Sequence, residues 1–221
     1  MSSVADQKQS ILKLGGVVSI LQCVLFEVIA LSALGLGVDN LITKGFGNLY
    51  QDSPWFFLLL CGAFILIAIL GVAITPAERE LLKKANNGLA TLGSNLAYFG
   101  HMGTIAFFSW WIIHVTTNQN QVSAGVADIL FSLKWGVMFE LLFVGLWVWI
   151  FAYAVFRYGI LSKSFGFVSI AKALSFWFLF IAIIMNEKIM LLCGVTLVAV
   201  IFGPWWHAWI AVKYLLRHDK E

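Results

Sequence analysis

Six long apolar runs separated by short polar connections constrain this chain more than any other feature of its sequence. They extend over about Leu14–Val38, Trp55–Ile74, Leu89–Val115, Ile129–Phe156, Phe167–Met185 and Ile189–Val212. A bilayer core about 30 Å thick is crossed by roughly 20 apolar residues in a helix, and each run is near that length or longer. None alternates with period two, and an unpaired strand in lipid would leave its backbone groups without hydrogen-bond partners. The sequence therefore predicts an all-α, polytopic membrane bundle of six transmembrane helices forming a single domain over residues 1–221.

Composition agrees with that reading. Hydrophobic residues make up 61% of the chain and charged residues 11%, with a mean hydropathy of +0.92. A soluble domain carries about 25% charged residues. Lipid is thus the expected surrounding, and the 10 Trp and 5 Tyr suit its headgroup level. The formal charge of +3 is scattered, unlike the concentrated basic face of a nucleic-acid binder, so no nucleic-acid partner is expected. Cys23, Cys61 and Cys193 lie far apart in apolar runs. They give no disulfide or zinc spacing and read as buried small apolar residues. Lys8 and Lys13 before the first run imitate a secretory leader, but the run is long enough to be a retained first helix.

The connections carry helix punctuation. Asp52-Ser53-Pro54 supplies an N-cap and a first-turn proline for the second helix. Thr75-Pro76-Ala77-Glu78 has capping-box spacing and is expected to start a solvated extension with charge pairs, running from Glu78 towards Asn87. Asn86-Asn87-Gly88 marks a break before the third helix, and Asn186-Glu187-Lys188 a tight hairpin between the last two. Lys8, Lys13, Arg79, Lys83, Lys84, Arg157, Lys163, Lys172, Lys213, Arg217 and Lys220 fall on one side, and Lys44, Lys134 and Lys188 on the other. Basic residues stay inside the cell, so both termini are expected in the cytoplasm, with a prokaryotic inner membrane as the expected location.

Ionisable residues within the spans are the candidate site. At about 1.5 Å per residue, Glu27, His101 and Glu140 fall roughly 21, 20 and 25 Å from the inner ends of their helices. Burying a charge there costs at least about 2.5–3.5 kcal/mol, so these groups are expected to face the bundle interior and pair. Ser94 lies two turns before His101 on the same face. Gly93, Ala97, Gly100, Gly103 and Thr104 allow close approach and suggest a central third helix. Trp205, Trp206, His207 and Trp209, ahead of Lys213 and Arg217, read as an interfacial anchor, with Pro204 kinking the last helix. His114, beside Trp110 and Trp111, reads as interfacial. His101 and His114 are about 140° out of phase on a helix, which disfavours stacked haems. No cofactor is expected, a single haem at His101 being the weaker option, and the sequence specifies no metal.

The fourth helix ends in Val155-Phe156-Arg157-Tyr158-Gly159-Ile160-Leu161-Ser162-Lys163-Ser164-Phe165-Gly166. This stretch, from Arg157 to Gly166, resembles the Arg-x-Gly-apolar-Leu-x-Lys/Arg-x-apolar-Gly turn of an uncharacterised bacterial and archaeal family of six-helix integral membrane proteins, catalogued as a domain of unknown function. The order of helices and the Trp-rich last helix are similar too. The resemblance implies a six-helix bundle and no particular chemistry.

The sequence carries no phosphate loop, nucleophile elbow or His-Glu-x-x-His motif. The leading expectation is a non-enzymatic accessory or binding subunit of a membrane assembly, with lipid, other membrane subunits or a second copy as partners. The alternatives are a small transporter or proton-coupled carrier using Glu27, His101 and Glu140, and a redox protein with haem or quinone near His101.

Overall fold

Each apolar run folds as a helix, because a helix satisfies its own backbone polar groups while presenting side chains all round. The computed structural model describes residues 4–37, 40–41, 46–117, 133–185 and 187–216. Six helices are long and apolar enough to cross a membrane. They are α1 (Val4–Leu36), α2 (Pro54–Lys83), α3 (Asn87–Thr117), α4 (Gly136–Tyr158), α5 (Lys163–Met185) and α6 (Lys188–Leu215). A short helix, Phe46–Asp52, precedes α2. No strand occurs among the described residues. Lys44, Asn186, Arg217, Lys220 and the expected start of the fourth span at Ile129 lie outside the described residues, as does the side chain of Lys134.

The helix ends follow local chemistry. Pro54 sits in the first turn of α2, although the Ser53 side chain makes no capping bond. The Asn86 side chain accepts the Leu89 N–H at 3.0 Å and so caps α3. At the end of α4, Gly159 adopts φ +65° and its N–H donates to the Val155 carbonyl at 3.0 Å. That left-handed turn is where glycine is favoured, which gives the Arg157–Gly166 stretch a physical reason.

The Thr75–Glu78 capping box does not form. α2 runs unbroken through Pro76, and Thr75 turns its hydroxyl back to the Gly71 carbonyl at 2.7 Å. The solvated extension is likewise only partly solvated: Glu80 pairs with Lys83, whereas Glu78 is buried.

Consecutive helices pack side by side, and α6 closes back on α1, so the six form a ring in chain order. We call the end where α1 begins and α6 finishes proximal, and the opposite end distal. α3 is not central: 33% of its most apolar stretch is buried, against 50% for α4. Its small residues serve as notches instead. A side chain at Gly93 would collide with the Trp147 ring, and one at Gly103 would press on Phe139.

The interior divides into two apolar clusters. The proximal one includes Leu12, Trp147, Phe151, Phe165 and Trp206; the distal one includes Ala33, Leu60, Phe108, Leu179 and Val198. Outward faces are also apolar, with Val24, Leu66, Phe99, Tyr153, Phe167 and Ile189 exposed on the six helices in turn. Of the cysteines, Cys61 is buried as expected, Cys23 is half-buried and Cys193 is exposed, contrary to expectation.

Among the described residues, three short π-helical turns interrupt the ladders: Glu140–Val144 in α4, and Thr196–Phe202 and Ala211–Leu215 in α6. Each shifts the phase of the residues beyond it, and such turns recur at functional sites. The expected kink at Pro204 takes this form: the Gly203 N–H reaches back five residues to the Val198 carbonyl.

Candidate functional site in the bundle interior

Five of the six helices each place one ionisable side chain on a single small cavity inside the ring. Glu78 comes from α2, His101 from α3, Glu140 from α4, Lys172 from α5 and His207 from α6; α1 contributes Gln22. The cavity holds about 20 Å³, and a water needs about 10–15 Å³ and polar partners. It is therefore sized for a water molecule.

Each group is held by a defined partner. The Glu78 carboxylate accepts the Trp147 indole N–H at 2.7 Å. Trp147 fits there because Gly93 leaves room for its ring. His101 depends on a second glycine: a Cβ at Gly71 would lie 2.3 Å from its Cε1. His101 Nδ1 is 2.9 Å from Glu140 Oε1. That approach lies off the direction a hydrogen bond requires, and Nδ1 counts as a buried nitrogen without one. The two groups attract each other whenever His101 carries a proton. The Thr104 hydroxyl donates to the other carboxylate oxygen of Glu140 at 3.0 Å.

Lys172 is the most unusual member, with only 2% of its surface exposed. Its Nζ lies 3.0 Å from His207 Nε2 and 4.0 Å from the centre of the Trp206 ring. The neighbouring bonds fix the direction of the first contact. Ser19 donates its single hydroxyl hydrogen to the His207 carbonyl at 3.0 Å. Its oxygen can then only accept from His207 Nδ1, 3.2 Å away. Nε2 is left as the acceptor, and Lys172 donates to it. The cation–π contact with Trp206 adds about 2 kcal/mol or more in a desolvated setting. Trp206 is in turn held by its N–H donating to Ser169 at 2.9 Å.

A second, larger cavity of about 110 Å³ shares Phe26, Ile67, Glu140 and Phe176 with the first. It occupies the distal half of the ring and is walled by Ala33, Phe64, Leu179, Val198 and other apolar residues. Among the described residues, Glu140 is its only ionisable wall residue. Glu140 thus faces both spaces, and the π-helical turn in α4 starts at this residue.

Of the residues singled out from sequence, His101 and Glu140 meet as expected. Glu27 does not join them; it is exposed on the outer face of α1. Ser94 is buried but donates to the Thr91 carbonyl at 3.0 Å, away from the cavity. The four-residue anchor divides. Trp205 is exposed and Trp209 half-buried, while Trp206 and His207 point into the core. His114 stacks on Trp110, with ring centres 5.0 Å apart. Lys172, assigned to the basic inner side, lies in the interior instead.

Glu78, Lys172, Trp147 and Ser19 were not expected at the site. Two signals point to Lys172 and Glu78 in retrospect. Lys172 lies nine residues past Lys163, within a helix that starts at Lys163 rather than Phe167. Glu78 shares a helix face with the apolar Ile74, Ala77 and Leu81, all buried. Among the described residues, no group of three or more His, Cys, Asp or Glu is arranged to hold a metal ion.

The geometry defines a class: a six-helix ring with a polar, ionisable interior opening onto an apolar chamber. No protein-family model, curated protein or solved structure matches the chain.

Proposed function

We propose that this chain is a multi-pass membrane protein that works as a small proton-coupled carrier, with Glu78, Lys172, His207, His101 and Glu140 as its relay. One observation carries the reading: five helices each commit one acid or base to the same water-sized cavity. Intramembrane ionisable residues are costly and mark ion paths and proton relays. A purely structural polar core would need fewer charges and no adjoining space.

The proximal helix ends carry Lys13, Arg79, Lys83, Lys84, Arg157, Lys163 and Lys213. This excess supports placing the proximal end, and with it both termini, in the cytoplasm of a prokaryotic cell whose inner membrane holds the protein. The relay then spans the cytoplasmic half, and Glu140 is the group that exchanges a proton against whatever occupies the distal chamber.

The test is proton movement into proteoliposomes, followed with an entrapped pH dye. Glu140→Gln and Lys172→Met are expected to abolish a pH-gradient-dependent signal, while Glu27→Gln leaves it intact. A signal indifferent to Glu140→Gln overturns the reading.

A second reading, an accessory subunit of a membrane assembly, is favoured by Glu27. A carboxylate on the lipid-facing side of a span costs at least about 2.5–3.5 kcal/mol, and a partner helix covering it would relieve that cost. Cross-linking from a cysteine placed at Glu27 tests it, and a strictly monomeric product argues against it.

A further inference from the structure

We propose that the distal chamber binds a small lipophilic organic cation, whose ammonium group pairs with Glu140 and displaces one proton from the Glu140–His101 pair. The proposal deepens the carrier reading by naming its substrate class, and it rests on that reading for transport but not for binding.

Three observations lead to it. First, the chamber wall is apolar except for one carboxylate: among the described residues Glu140 is its only ionisable member. An apolar body with a single polar head matches that wall, because a second polar group on the ligand would be left without a partner. Second, the sign of the head follows from the wall. Among the described residues it offers the Glu140 carboxylate, which attracts a cation, and no basic side chain that would receive an anion. Third, the Glu140 side chain retains 14% exposure. Each of its oxygens has one described partner, Thr104 or His101, and a carboxylate oxygen can accept more than one.

Charge balance determines the exchange. The groups facing the Glu140–His101 pair are Glu78 from α2, Lys172 from α5 and His207 from α6, with the neutral Gln22 from α1. Lys172 balances Glu78. One proton held by the Glu140–His101 pair leaves that pair neutral while the chamber is empty. An arriving cation takes over the carboxylate. The pair then releases its proton through the water-sized cavity, and the interior stays neutral: one positive charge enters and one leaves. Retaining both would place an unpaired charge in a dry interior, which is strongly unfavourable.

Size sets the ligand. A volume of about 110 Å³ is somewhat below the roughly 150 Å³ of an engineered apolar cavity that holds benzene. A single ring, or an alkyl group of similar bulk, is the body that fits.

The experiment titrates the purified full chain in detergent with benzylammonium, benzyl alcohol and benzoate. These three share one ring and differ in head charge. Calorimetry in two buffers of different ionisation heat counts the protons released. Benzylammonium is expected to bind at least about tenfold more tightly than benzyl alcohol, releasing about one proton, with benzoate weakest. Glu140→Gln is expected to remove the preference for the cation, and Ala199→Phe, which fills the chamber, to block all three ring ligands. Equal affinities, tighter benzoate binding, no binding of any probe, or cation preference surviving Glu140→Gln each overturns the proposal. The comparison of heads on the unmodified chain stands even if a variant fails to fold. Cation binding with proton release but no flux in vesicles would sink the carrier reading and leave the site standing. Proton flux without cation binding would do the reverse.

Discussion

The two halves of the ring interior are built on opposite principles. The proximal half is filled by large aromatic rings, Trp147, Phe151, Phe165 and Trp206, each with 2% exposure or less. Between them its polar groups are tied into directional contacts, Trp147 to Glu78, Trp206 to Ser169, and Lys172 to His207 to Ser19. The distal half has buried rings of its own, Phe57, Phe108 and Trp111 among them, but leaves the larger cavity. A buried polar group must find its partner or forfeit about 1–3 kcal/mol, so the proximal half tolerates one arrangement. An apolar wall imposes no such demand and can remain open. Rigidity and vacancy are thereby assigned to different ends, and Glu140 stands at the boundary.

That contrast can be broken experimentally. The largest effect is expected from Lys172→Met, which strips His207 of its donor and Glu78 of its balancing charge. A loss of about 3–5 kcal/mol is expected, measured by denaturant titration in detergent. Combining it with Glu78→Gln should return a large part of that loss; a strictly additive double variant would disprove the coupling. Next come the two notches, Gly71→Ala and Gly93→Ala, which push a methyl group into His101 or Trp147. Overpacking of this kind costs about 1–3 kcal/mol, and a thermal shift assay would detect it. In the distal half the sign should reverse. Ala199→Leu adds bulk towards open space, and filling a cavity commonly stabilises by about 0.5–2 kcal/mol. A clear loss of stability there would show that the distal half is as tightly packed as the proximal one. The last comparison is Glu27→Gln, which lies outside both halves and takes a carboxylate off the lipid-facing side; it is expected to cost no stability, and a clear loss in the same titration would show that Glu27 is held by a partner.

Much of the fold was legible because hydrophobic run length is a one-dimensional property. All six helices appear where the apolar runs lie, and Asn86 and Gly159 punctuate them as local chemistry dictates. The site was half legible. The burial cost of His101 and Glu140 pointed to a meeting, and they meet. Glu27 carried the same cost and faces outward. Depth along a helix can be counted from sequence, but direction around it depends on which face the neighbours cover. The π-helical turns in α4 and α6 make that harder, since each alters the phase without a marker in the sequence. Glu78 was lost to a proline taken as a helix start, and Lys172 to a count of basic residues that assumed every lysine near a helix end reaches water.

The sequence alone determined that this protein is a set of apolar helices joined by brief polar turns, because the length and composition of each run leave the backbone no other way to satisfy itself. Only the tertiary structure decided which face of each helix turns inward. Closing six helices into a ring brings Glu78, His101, Glu140, Lys172 and His207 to one point from positions spread over 130 residues of chain. That convergence arises from glycine notches and side-chain partners on different helices, and no single segment encodes it.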